Sequence, residues 1–172
     1  ILTPQEIITN EQNLDLAISA RNNTILSNEF LQKFKLGVIN CHGGYLPDYK
    51  GIGGHVFPII NEEDFTGASI HWMTDELDGG DIINREKIFI SQNDTGEILF
   101  KKINQSLYTL IEETVDTIRE RKEVSTIPQN ELAIQVKNEK GYFYKNSDLK
   151  ALFKMPPNLI STTMKKALAW PE

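Results

Sequence analysis

One stretch constrains the fold of this chain more than any other. Between Thr95 and Lys122, the residues Leu99, Ile103, Leu107, Leu110, Ile111, Val115 and Ile118 recur at spacings of three and four. That period predicts a long helix with a single apolar stripe, which must lie on a core built by other elements. Asp94 and Glu97 supply an acidic variant of a capping box at its start. The partners it needs are upstream. Asp15–Ala20, Leu36–His42, Gly67–Thr74 and Ile82–Ile90 are apolar runs of strand length, closed by the breakers Asn22, Gly43-Gly44 and the acidic turn Asp75–Asp81. Leu26–Phe34 and His55–Asn61 read as short helices, Pro58 limiting the second, and Thr3-Pro4 opens another. Residues 45–54, with Pro47 and three glycines, read as a loop, and Gly141–Tyr144 as an irregular or hairpin-like piece. Strands alternating with helices predict an α/β fold with a mainly parallel sheet.

Composition narrows the class. A length of 172 residues is that of one domain of ordinary size. No apolar run approaches the roughly 18 residues needed to cross a bilayer, so no membrane partner is expected. The single cysteine, Cys41, excludes an intrachain disulfide scaffold, and a signal-peptide pattern is absent; a cytoplasmic location is expected. Residues 135–172 carry seven lysines against three acids, net +4, while residues 1–134 carry −10. We therefore divide the chain into a core, residues 1–134, and a basic C-terminal extension, residues 135–172. An acidic core disfavours broad nucleic-acid binding, which rests on phosphate neutralisation.

The chemistry-bearing residues sit where strands end. In an open parallel sheet, ligands bind beyond the carboxyl ends of the strands. Alternation puts Asn40 and His42 on one face and turns Cys41 away, toward the role of a small buried apolar group. Asn40 and His42 fit strand-end groups that satisfy the backbone, and Asp75, Asp78 and Asp81 fit turn formers around Gly79-Gly80. These carboxylates lack calcium-loop spacing, and His42, His55 and His71 lack zinc-ligand spacing, so no metal is expected. Read together they allow more. An amide beside an imidazole can donate to one developing oxyanion, and a nearby carboxylate can hold the imidazole in its donor form. Such a set suits acyl transfer to a free amine, which needs no serine or cysteine nucleophile.

The motifs Asn40-Cys-His42, Leu46-Pro47-Asp-Tyr49-Lys50-Gly51, Gly67-Ala-Ser-Ile-His71 and Asp75-Glu-Leu-Asp78-Gly-Gly occur in this order. Together they resemble the formyltransferases that use 10-formyltetrahydrofolate, which include the glycinamide ribonucleotide, methionyl-tRNA and amino-sugar enzymes. The likeness runs from about Asp15 to Ile118. It implies a Rossmann-like formyltransferase fold, here without its N-terminal strands, since only 14 residues precede Asp15 and the chain starts at Ile1 rather than methionine.

The resemblance further implies a catalytic trio of Asn40, His42 and Asp78. Asn40 and His42 would stabilise the oxyanion, while Asp78 orients His42 and assists proton removal. The formyl donor, 10-formyltetrahydrofolate, would lie against Thr24, Ile25 and Leu26 and the loop Thr74, Asp75, Glu76 and Leu77. Val56–Asn61 is similar to the amino-sugar branch, so a nucleotide-linked amino sugar is the expected acceptor, with Lys50 and His55 on its side. A methionyl-tRNA formyltransferase is the alternative, and a non-catalytic folate-binding domain is the alternative of another class. By analogy with family members, a homodimer is open to it.

Overall fold

In a computed structural model, the described residues are 3–9, 14–22, 25–120, 123–136, 142–154 and 161–168. In order they form α1 (Pro4–Thr9), β1 (Leu14–Ala20), α2 (Asn28–Leu31), β2 (Phe34–His42), β3 (Tyr49–Gly51), α3 (Phe57–Ile60), β4 (Phe65–Trp72) and β5 (Ile82–Phe89). These are followed by α4 (Gly96–Arg119), α5 (Gln129–Val136), β6 (Tyr142–Tyr144), α6 (Asn146–Phe153) and α7 (Thr162–Leu168).

The sheet order is β1-β2-β4-β5. The α/β reading holds, with one correction: the sheet is mixed, not mainly parallel. β1 and β2 run parallel, whereas β2–β4 and β4–β5 are antiparallel. Only residues 73–81 join β4 to β5, too few for the crossover of a dozen or more residues that a parallel return requires.

The predicted long helix is α4, and it covers one sheet face. Ile103 and Leu110 pack with Ile39, Ala68 and Ile70, and Cys41 lies against the same cluster. The helix begins one residue later than the sequence pattern placed it. Thr95 is the N-cap and accepts from the Ile98 N–H, while Asp94 instead accepts from the Ser91 N–H and binds the Lys102 ammonium. A cation eight residues along outcompetes the cap.

On the opposite face, Phe30, Phe34 and Val38 form a second apolar cluster with Ala17, Leu26 and Met73. α2 is shorter than expected because Phe34 pairs with Leu14 in the sheet. Within the expected loop, residues 49–51 form β3. It pairs in parallel with β6, so the Tyr142–Tyr144 segment is a strand and no hairpin. Further on, α7 buries Ala167 beside Val56, Ile59 and Leu99.

Candidate active site

Register dictates which polar groups meet. Asn40 pairs with His71 across β2–β4, His42 with Ser69, and Ser19 of β1 with Asn40. Paired residues share a face, so Ser19, Asn40, His42, Ser69 and His71 line the sheet opposite α4. The loop after β4 then returns Asp78 over them. Asp78 adopts φ +49°, a left-handed conformation that Asp tolerates better than most residues.

The structure brings Asn40, His42 and Asp78 together, and adds His71. Asn40 Nδ2 donates to Asp78 Oδ1 at 3.3 Å. His42 Nδ1 lies 3.4 Å from Asp78 Oδ2, and His71 Nε2 3.5 Å from Asp78 Oδ1. The Gly51 N–H donates to Asp78 Oδ2 at 2.8 Å. His42 and Asp78 are each 7% exposed, whereas Asn40 is only half-buried and is the most open of the three.

The backbone sets both tautomers. A carbonyl only accepts, so His71 Nδ1–H donates to Trp72 O at 2.8 Å and leaves Nε2 to accept from Asn40 Nδ2 at 3.1 Å. Likewise, His42 Nε2–H donates to Tyr49 O at 2.8 Å. This differs from the sequence expectation, in which His42 and Asn40 both point a hydrogen at an oxyanion. The position that His42 offers is Nδ1, beside the carboxylate.

Burial lowers the His42 pKa, with the Asp78 carboxylate opposing it and Lys50 adding to it. Burial pushes Asp78 upward, but its contacts with His71 and His42 and the Gly51 N–H outweigh it, and the net shift is downward. The resting pair is therefore a neutral imidazole against a carboxylate. A proton arriving on Nδ1 would gain an ion pair.

Gly44 is what lets this geometry exist. A Cβ there would sit 2.6 Å from both His42 Nε2 and Tyr49 O. Sequence reasoning missed two further contributors. His71 closes the Gly67–His71 motif and is one of three histidines without metal spacing, but neither reading gives it a role at the site. Gln129, at the start of α5, donates from Nε2 to Asp78 O at 2.8 Å and Gly80 O at 2.7 Å. No sequence signal marks it. Its Oε1 and the Ser19 hydroxyl are buried without hydrogen-bond partners among the described residues.

Of the residues expected around the donor, Thr24 lies outside the described residues. Ile25 and Leu77 are 83% and 52% exposed, and Thr74, Asp75 and Glu76 lie on the exposed loop. Leu26 and Met73 pack in one cluster, so the two segments flank the same side of β2. Lys50 is on β3, near enough to His42 to affect its titration. His55 stands apart, edge-on to the Phe100 ring. Burial and then the Arg21 cation push its pKa to about 4. Among the described residues, no group of three His, Cys, Asp or Glu is placed to hold a metal ion, and no helix is long and apolar enough to cross a membrane.

Fold and site together define a Rossmann-like α/β chain with an amide–imidazole–carboxylate centre at the carboxyl ends of its parallel strands. A family model described as formyl transferase matches residues 3–115, and the chain belongs to that family. Among curated relatives, the methionyl-tRNA formyltransferase of Methylacidiphilum infernorum is 33% identical over 116 residues, 67% of this chain and 36% of that protein. The chain thus spans about a third of that relative's length. A 4-N formyltransferase from Francisella tularensis superposes with a TM-score of 0.79 at 24% identity, over 98% of this chain and 65% of the other. The formyltransferase PseJ from Anoxybacillus kamchatkensis, solved with UDP-4,6-dideoxy-4-formamido-L-AltNAc and tetrahydrofolate, gives 0.73 at 25% identity, over 96% and 82%. The formyltransferase fold expected from the sequence is therefore the fold observed.

Proposed function

We propose that this chain carries the transfer site of an N-formyltransferase. It moves a formyl group from 10-formyltetrahydrofolate to the primary amine of a nucleotide-linked amino sugar. The observation that carries the transfer chemistry is the convergence of Asn40, His42 and His71 on the Asp78 carboxylate.

In the reaction, the amine nitrogen bonds to the formyl carbon, the bond from that carbon to N10 of the folate breaks, the amine loses a proton and N10 gains one. Asn40 supplies the oxyanion donor by releasing its longer contact, the 3.3 Å bond to Asp78, while the 3.1 Å bond to His71 holds the amide in place. His42 Nδ1 receives the amine's proton, and Asp78 stabilises the resulting imidazolium. Losing an oxyanion donor costs roughly 2.7–4 kcal/mol of transition-state stabilisation. The flat faces of the donor's rings would lie against the exposed Ile25 and Leu77, and the polar edge of its pterin against backbone groups of the 74–78 loop. Lys50 and His55 are assigned to the acceptor side. His55 acts there as a neutral hydrogen-bonding group, because its pKa of about 4 leaves it uncharged at neutral pH.

The amino-sugar acceptor is favoured by structural likeness: the PseJ structure, whose described ligands include a formamido nucleotide sugar, superposes over 96% of this chain. The 33% identity to the methionyl-tRNA relative supports the second reading, a tRNA acceptor. The −10 charge of residues 1–134 opposes it. Purified protein mixed with 10-formyltetrahydrofolate and either an amino-sugar nucleotide or methionyl-tRNA, followed by folate absorbance, separates the two. Turnover with the sugar alone is expected. Turnover with tRNA alone overturns the acceptor assignment, and folate binding without transfer to any amine overturns the catalytic one.

A further inference from the structure

The strand that holds the site in place is itself held by a segment 93 residues away. β3 contributes Tyr49 O to His42 and the Gly51 N–H to Asp78, each at 2.8 Å. Among the described residues its only strand partner is β6, with Tyr49, Lys50 and Gly51 opposite Tyr142, Phe143 and Tyr144. The Ile52 N–H continues the ladder to Tyr144 O at 3.0 Å.

Two features make this pairing specific. Gly51 has φ +80°, and a Cβ there would lie 2.0 Å from Tyr144 O, so the approach of the two strands requires glycine. Above the backbone, Asn61 Nδ2 donates to the hydroxyls of both Tyr49 and Tyr144, at 2.9 and 3.0 Å, and the Phe57 ring stacks on that of Tyr144 at 3.5 Å. One amide thus ties the strand that orients His42 to the strand beside it.

We infer that β6 is a positioning strand of the transfer site, with Tyr144 and Asn61 acting through Tyr49 and Gly51 to fix the His42 tautomer and the Asp78 carboxylate. The inference rests on the proposed role of His42 and Asp78, but its structural half is measurable without any formyl transfer. Tyr144 and Asn61 meet the Tyr49 hydroxyl, the β3 backbone and the Phe57 ring. Their effect reaches the chemistry through the Tyr49 carbonyl and the Gly51 amide.

The test uses the full chain with Tyr144→Phe, Asn61→Leu and Gly51→Ala. Ring ¹⁵N spectra report the His42 tautomer, the His42 signal being identified by its loss in His42→Ala. In Asn61→Leu, which cuts both hydroxyl ties, the Nε2–H form is expected to give way to a tautomer mixture. There kcat should fall at least tenfold, with KM for the formyl donor changed less than twofold. Tyr144→Phe should lie between that variant and the wild type. Gly51→Ala, which forces the strands apart, should show the largest effect on both readouts. An unchanged His42 spectrum and unchanged kcat in Asn61→Leu and Tyr144→Phe, whatever the melting temperature does, would overturn the inference. If the wild-type protein transfers no formyl group, the spectra still decide whether β6 sets His42, so that failure belongs to the proposed function alone.

Discussion

Gln129 holds Asp78 by its backbone: the side-chain amide of the one donates to the carbonyl of the other at 2.8 Å, across 51 positions of sequence. The same nitrogen donates to Gly80 O, so a single side chain closes the turn that carries the carboxylate. Replacing it with Leu keeps the volume but leaves two buried carbonyls unpaired. We expect Gln129→Leu to lose about 1–3 kcal/mol of stability in urea unfolding, and to raise KM for the formyl donor through the loosened 74–80 loop. Unchanged stability would show that water replaces the amide.

Gly44 offers a sharper test of geometry. A methyl group there would press on both His42 Nε2 and Tyr49 O at 2.6 Å. Gly44→Ala should therefore displace the imidazole and lower kcat on the order of 10²-fold, the scale associated with a 1 Å misplacement. Near-native circular dichroism with normal turnover would show that the ring's position is not what matters.

Acid should weaken the fold in two stages. The folded-state pKa values of His42 and His55 are depressed, the latter to about 4, so the unfolded chain binds more protons below its ordinary histidine value of about 6.5. Stability is complete above that value and declines as pH falls toward about 4. Asp78, also depressed, contributes stability that is present above its unfolded pKa, near 3.9, and is lost as pH drops through its folded value. Urea unfolding across pH 3–8 should show a slope between 6.5 and 4 that flattens in His55→Gln.

Ser19 is the converse case. Its hydroxyl is buried beside Asn40 and has no partner among the described residues, so Ser19→Ala should leave stability unchanged or slightly higher. A loss above 1 kcal/mol in denaturant unfolding would reveal a hydrogen bond that this geometry lacks.

Much of this was legible in the sequence because it is local. The stripe from Leu99 to Ile118 encoded α4, and strand alternation alone put Asn40 and His42 on one face. What stayed hidden depends on pairing between distant segments. His71 matters because it is opposite Asn40 across an antiparallel ladder, and a short loop rather than a crossover made β4–β5 antiparallel. Tyr142–Tyr144 became a strand only through Gly51, which no local pattern signals. Gln129 acts on a turn 49–51 residues upstream. The cap of α4 moved to Thr95 because Lys102 reached Asp94, a competition between side chains that residue types alone do not decide.

The most direct test of the account is single-turnover formyl transfer by Asp78→Asn. Asparagine tolerates the left-handed backbone at this position and can still accept from the Gly51 N–H, but it removes the charge that stabilises a protonated His42. The account predicts a rate lower by roughly 10²–10⁴, with folate binding and circular dichroism retained. Transfer at the wild-type rate would contradict it.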